Sequence, residues 1–180
     1  MYHGTDTIIT TVNVDKSRLR TDFGKGFYLS SKLGDARNWA VDKYGATKTP
    51  IVMRFTLDTA KLTTPELLVL RFEQPTVEWL NFIRDNRQIK AIVGISGEPR
   101  HNYDVVSGPI ADDKVAKVVA DYIDRIINAD EAIRRTRALP SVFQTSLHSQ
   151  KALGCIVRCE YQQKINNGKW TEWIMAQTYT

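Results

Sequence analysis

Two glycines flanking one lysine, followed at once by an aromatic, β-prone run, constrain this chain more than any other stretch: Gly24-Lys25-Gly26-Phe27-Tyr28-Leu29-Ser30. A residue without Cβ lets the backbone turn tightly and offer its N–H groups to a closely approaching ligand. In the strand that follows, successive side chains alternate, so Phe27 and Leu29 are expected to bury while Tyr28 presents its phenol on the opposite face. Upstream, Met1-Tyr2-His3-Gly4-Thr5 reads as a first strand. Downstream, Leu33, Ala36, Trp39, Ala40 and Lys43-Tyr44 follow helical spacing, which predicts a helix with Ser30-Ser31 as N-caps, Gly45 as its stop and Trp39 on the inward face.

The rest of the chain reads as support for that pocket. A length of 180 residues with 42% hydrophobic content predicts one domain, 1–180, with an ordinary core. Ile8 to Leu19 reads as a loop or strand leading to Arg18 and Arg20, followed after the helix by strands at Ile51 to Leu57 and Leu67 to Phe72. Pro75 then opens a helix through Trp79, Leu80 and Ile83. Lys90 to Asn102, with Gly94, Gly97 and Pro99, reads as a surface loop, and Tyr103 to Ser107 as a strand. Val115 to Ile127 predicts an amphipathic helix that runs on towards Arg134, Arg135 and Arg137. Ser141 to Leu147 reads as a strand before a short helix from Ser149 through Leu153, and 155–180 as a hairpin turning at Asn166-Asn167-Gly168.

Composition narrows the function. A net charge of +5 and a pI near 9.2 favour an anionic partner: a dinucleotide, a nucleic acid or an acidic protein. Cys155 and Cys159 are too few for a disulfide framework or a zinc site and are expected as reduced, buried thiols. His3, His101 and His148 are scattered, and no paired histidines stand at ligand spacing, so no metal is expected. Without a signal peptide or a bilayer-length apolar run, the expected location is cytoplasmic, with no membrane partner.

The order His3-Gly4-Thr5, then Gly24-Lys25-Gly26-Phe27-Tyr28, then an aromatic eleven residues on at Trp39, resembles the ADP-ribosyltransferase superfamily of the His-Tyr-Glu type. More narrowly, Asp22 to Ser30 together with Tyr103 to Ala111 is similar to a bacterial domain family of unassigned function found in toxin-antitoxin and defence loci. The resemblance covers Met1 to about Leu153, and 155–180 lies outside it. It implies an α+β fold of split antiparallel β-sheets with flanking helices around a dinucleotide cleft. It further implies NAD as co-substrate, with His3 on the adenosine ribose, the Gly4 backbone on the carboxamide, and Tyr28 and Trp39 on either side of the nicotinamide ring. Thr5 and Gly26 belong to the same expected cofactor site. Flat aromatics suit this task, because a stacked ring gains a cation–π term with charged nicotinamide that fades as the ring becomes neutral.

The family's third position is a glutamate that steadies positive charge on the ribose, and here the matching strand carries Gln144-Thr145-Ser146. Gln144 can bond a hydroxyl but brings no charge, which directs attention to Asp22, and after it Glu160, as sources of negative charge. Ala36 likewise replaces a serine three positions before the second aromatic. The leading expectation is a transferase toxin modifying RNA or DNA ahead of protein, neutralised by an antitoxin. The alternatives are an RNA 2′-phosphotransferase-like enzyme and a nucleotide-binding module without catalysis.

Overall fold

The alternation predicted for the glycine-flanked strand is borne out and organises the whole molecule. The structure, a computed structural model, describes residues 1–87, 101–111, 113–139 and 142–179. Among the described residues eight strands form one mixed sheet: β1 (Tyr2–Thr5), β2 (Phe27–Ser30), β3 (Ile51–Leu57), β4 (Val69–Arg71), β5 (Val105–Pro109), β6 (Phe143–Leu147), β7 (Ile156–Gln163) and β8 (Ile174–Thr178). Their order is β4-β5-β6-β2-β1-β3-β7-β8, antiparallel throughout except for the parallel β4–β5 pair. The chain is thus α+β, but its strands make one sheet where two split sheets were expected. The difference lies in one joint: β1 meets β2 through the single pair Tyr2↔Ser30, whereas β1–β3 and β2–β6 each have four.

Register assigns every strand residue to a face. Phe27, Leu29, Ile51, Met53, Phe55 and Leu147 bury together on one face, against Ala152 of the short helix α5 (Gln150–Leu153). On the opposite face two separate helical layers cover the two halves of the sheet. Helix α1 (Leu33–Tyr44) packs Ala36 and Ala40 on Val52 of β3. Helices α2 (Val77–Arg87), α3 (Asp113–Ile123) and α4 (Ala129–Arg137) enclose Phe23, Trp79, Leu80, Ile83, Val106, Val115, Val119 and Ala132, with Tyr28 at their margin. Between the layers runs the thin β1–β2 joint.

Local chemistry explains where elements depart from expectation. Ser30 does not cap α1 through its own carbonyl position; Lys32 is the N-cap residue, while the Ser30 hydroxyl accepts the Lys32 amide. The helix expected to run from Val115 towards Arg137 breaks in two. Arg125 adopts φ 61°, outside the helical region, and Asn128 restarts the helix by accepting the Glu131 amide with its side chain. Ile8 to Leu19 contains only one 3₁₀ turn, Val14–Lys16, capped by Asn13. The C-terminal hairpin forms as expected, with β8 beginning later than Trp170 and an isolated bridge joining Lys164 to Trp170. Cys155 and Cys159 are free and buried. Most of the expected Lys90 to Asn102 loop, together with Pro140 and Ser141, lies outside the described residues.

The two tryptophans of the helical layers differ in role. Trp79 is fully buried and its indole N–H donates to the Pro109 carbonyl at 2.8 Å, whereas Trp39 is 51% exposed. Trp79→Ala is therefore expected to cost roughly 3–5 kcal/mol of stability, and Trp39→Ala about 1 kcal/mol or less, as read from urea unfolding midpoints.

Candidate functional site

At the joint, a side chain takes the place of backbone pairing. Nδ1 of His3 lies 2.8 Å from the Tyr28 carbonyl, and the imidazole packs on Phe27 with ring centroids 4.8 Å apart. A carbonyl only accepts, so Nδ1 carries the proton and Nε2 keeps a lone pair. Burial pushes the His3 pKa below its ordinary value and so favours the neutral ring, with that bond partly opposing the shift. The joint is therefore bridged by an imidazole whose second nitrogen is an acceptor.

Gly4 sits on the α1 side of β1, where a Cβ would stand 2.5 Å from the Ala36 carbonyl oxygen and 2.9 Å from Cδ1 of Trp39. Only glycine fits beneath this helix. Trp39 thus flanks the Gly4 backbone instead of entering the core, and its indole N–H has no partner among the described residues. Tyr28 and Gln144 share this face, because Tyr2↔Ser30 and Ser30↔Gln144 set the register across β1, β2 and β6. Gln144 is half-buried, and its side-chain amide bonds no other described residue.

The Tyr28 hydroxyl, in contrast, is engaged. It lies 2.8 Å from the Thr21 hydroxyl, accepts the Phe23 amide at 2.9 Å and donates to the Gly24 carbonyl at 2.7 Å, while its ring stacks on Phe23. Burial pushes the phenol well above its ordinary pKa. Tyr28 therefore anchors the Thr21–Gly26 loop, and replacing it would disturb the fold as well as any ligand. Gly26 has a similar role: a Cβ there would lie 2.6 Å from His148 Nδ1, so the glycine admits the histidine. Thr5 is buried, and its hydroxyl accepts the Thr7 amide.

Neither acid considered as a source of charge is free. Asp22 takes Arg87 on Oδ1, at 2.8 Å from Nε and 2.6 Å from Nη2, and the Ala111 amide on Oδ2 at 2.8 Å. It clamps its loop to the end of α2 and to the segment after β5. Glu160 bonds Arg54 at 2.8 Å and stands four strand steps from Gln144, roughly 19 Å at ordinary strand spacing. Of the basic cluster, Arg134 and Arg135 both pair with Glu131, and Arg137 donates to the Pro75 carbonyl.

The scattered histidines of the sequence meet in space. His101 Nε2 lies 2.8 Å from the Phe23 carbonyl, His148 Nδ1 lies 2.8 Å from the Lys25 carbonyl, and the two rings meet edge to face at 4.7 Å. Ser146 completes the cluster, 2.7 Å from His148 Nε2. These groups were not legible as a unit, because the bonds that anchor His101 and His148 to the Thr21–Gly26 loop end on backbone carbonyls, which carry no sequence signal. Burial lowers both pKa values, that of His148 to about 4. An unfolded histidine titrates near 6.5, so unfolding takes up protons between about pH 6.5 and 4, and stability falls as pH falls through that window. The thermal midpoint is expected to be level above pH 7 and to drop towards pH 5, with a shallower drop in His148→Asn, as followed by circular dichroism.

No curated protein and no solved structure matches the chain. A family described as "Protein of unknown function (DUF3990)" matches residues 1–157, which takes in every strand and helix except most of the β7–β8 hairpin. Since that match spans the joint, both helical layers and the histidine cluster, the chain belongs to the DUF3990 family.

Proposed function

We propose that the chain is an NAD-dependent ADP-ribosyltransferase, a toxin of the toxin-antitoxin or defence kind, and that its acceptor is a nucleic acid. The observation that carries this reading is the juxtaposition of the tightly covered Gly4 backbone with the half-exposed Trp39 ring, on the sheet face that also bears Tyr28. A flat cationic ring laid on Trp39 would meet the main chain of a glycine strand, which is the chemistry a nicotinamide needs. His3 adds an acceptor nitrogen for a ribose hydroxyl. The residues fit the nicotinamide end of the dinucleotide and depart from the family pattern at Ala36 and Gln144.

In the reaction, the bond between the nicotinamide nitrogen and ribose C1′ breaks and the electron pair leaves with the ring. A nucleophile of the acceptor then bonds C1′ and gives its proton to solvent. Trp39 favours the charged ring over the neutral one, and Gln144 holds a ribose hydroxyl without adding charge. The net charge of +5 favours a polyanionic acceptor. With Arg134 and Arg135 each paired to Glu131, that preference rests on the overall field more than on one patch.

A second reading, a nucleotide-binding module without catalysis, is favoured by one observation: Asp22 and Glu160 are both committed to arginines, so neither offers Gln144 a free charge. Release of nicotinamide separates the two. An RNA 2′-phosphotransferase would instead be told by the mass of its product.

Incubation with labelled NAD and crude lysate is expected to place label in nuclease-sensitive material. Trp39→Ala should abolish it with a thermal midpoint near wild type, and His3→Ala should abolish it while also lowering the midpoint, because the imidazole ties β1 to β2. Label confined to a nuclease-resistant protein band would redirect the acceptor, and unchanged labelling by both variants would end the assignment. Gln144→Ala is expected to slow turnover roughly tenfold or more with little change in NAD affinity, the loss of one hydrogen bond made chiefly in the transition state. Gln144→Glu should preserve or raise NAD hydrolysis.

A further inference from the structure

On the face of the sheet opposite Gly4 and Trp39, a cavity of about 180 Å³ is lined by Met1, Leu57, Leu62, Val69, Arg71, Val105, Ser107 and Thr145. Its lining is sorted by the register. Arg71, Ser107 and Thr145 are successive partners across β4, β5 and β6 and form a polar row. Two residues back along β4 and β5, Val69 and Val105 are also partners and form an apolar row, roughly 7 Å away along the strands. Leu57, Leu62 and Met1 extend the apolar wall.

The polar row has no internal use. The Arg71 guanidinium and the hydroxyls of Ser107 and Thr145 make no hydrogen bond or ion pair with another described residue. Arg54 and Arg87, which are half-buried, pair with Glu160 and Asp22, whereas Arg71 is exposed and its guanidinium is open to a ligand from solvent. A guanidinium and two hydroxyls at one end of a small cavity, with aliphatic walls at the other, describe an amphipathic anion. The guanidinium fork matches a planar carboxylate, and the hydroxyls can donate to its oxygens. An apolar cavity of about 150 Å³ suffices for benzene, so this one admits a single ring.

We propose that this cavity is a binding site for a small carboxylic acid with a compact apolar body, held by Arg71, Ser107 and Thr145 and distinct from the Gly4 cleft. The proposal does not rest on the transferase reading, since Arg71, Ser107 and Thr145 are not residues of the Gly4 cleft, although His3 projects on the same sheet face.

Calorimetric titration tests it with benzoate, inorganic phosphate and neutral benzyl alcohol as probes. Benzoate is expected to bind in the millimolar range or tighter, with phosphate and benzyl alcohol each much weaker. Arg71→Gln should weaken benzoate roughly tenfold or more, because a charged hydrogen bond is lost. Thr145→Val, which keeps its shape, should weaken it to a smaller degree, and Trp39→Ala should leave it unchanged. Arg71 is exposed, so its variant is expected to unfold at the wild-type midpoint. Absence of benzoate binding to the folded wild type overturns the proposal, as does phosphate matching benzoate. Binding that survives Arg71→Gln but is lost in Trp39→Ala would place benzoate in the Gly4 cleft and overturn it too.

Discussion

The hydrogen bond from His3 to the Tyr28 carbonyl is the constraint on which the arrangement of this molecule depends. With one residue pair between β1 and β2, the sheet would be weakly tied at its centre, and the imidazole supplies the missing link. Because a side chain makes that link, the two halves of the sheet can carry separate helical layers, α1 on one side and α2 to α4 on the other. The backbone of Gly4 and the ring of Trp39 meet where the layers part. One bond therefore connects the strand pairing, the division of the core and the position of the candidate site.

The Thr21–Gly26 loop is held by Tyr28 and Asp22, which sequence alone assigns to the site, and by His101 and His148, which it leaves scattered. Tyr28, Asp22, His101 and His148 all bond it directly or through its flanks, and most of those bonds end on backbone carbonyls or amides. Such bonds are worth most where the partners are buried, since breaking one leaves an unsatisfied polar group. The loop is thereby pre-set, and Nε2 of His3, the Trp39 indole N–H and the Gln144 amide are left without a hydrogen-bond partner among the described residues.

Much of this was legible from residue order. Alternation across Phe27-Tyr28-Leu29, the helix ending at Gly45, the hairpin at Asn166-Asn167-Gly168 and the buried thiols all follow from local rules that the structure obeys. What local rules miss is pairing at a distance. Asp22 looks like a free acid beside a glycine corner until Arg87, 65 residues away, is placed against it. Trp39 looks inward on a helical wheel, but the tight seat of α1 on Gly4 leaves its ring at the rim. The break between α3 and α4 needed Arg125 in a left-handed conformation, which helical periodicity does not announce.

The claim that nicotinamide is received by the Gly4 backbone and the Trp39 ring is tested most directly by nuclear magnetic resonance on the folded protein. On titration with nicotinamide, the Gly4 amide and the Trp39 indole N–H signals are expected to shift together and with one dissociation constant, ahead of signals from β7 and β8. Shifts that leave both unmoved, or that fall instead on Arg71, Ser107 and Thr145, would contradict it.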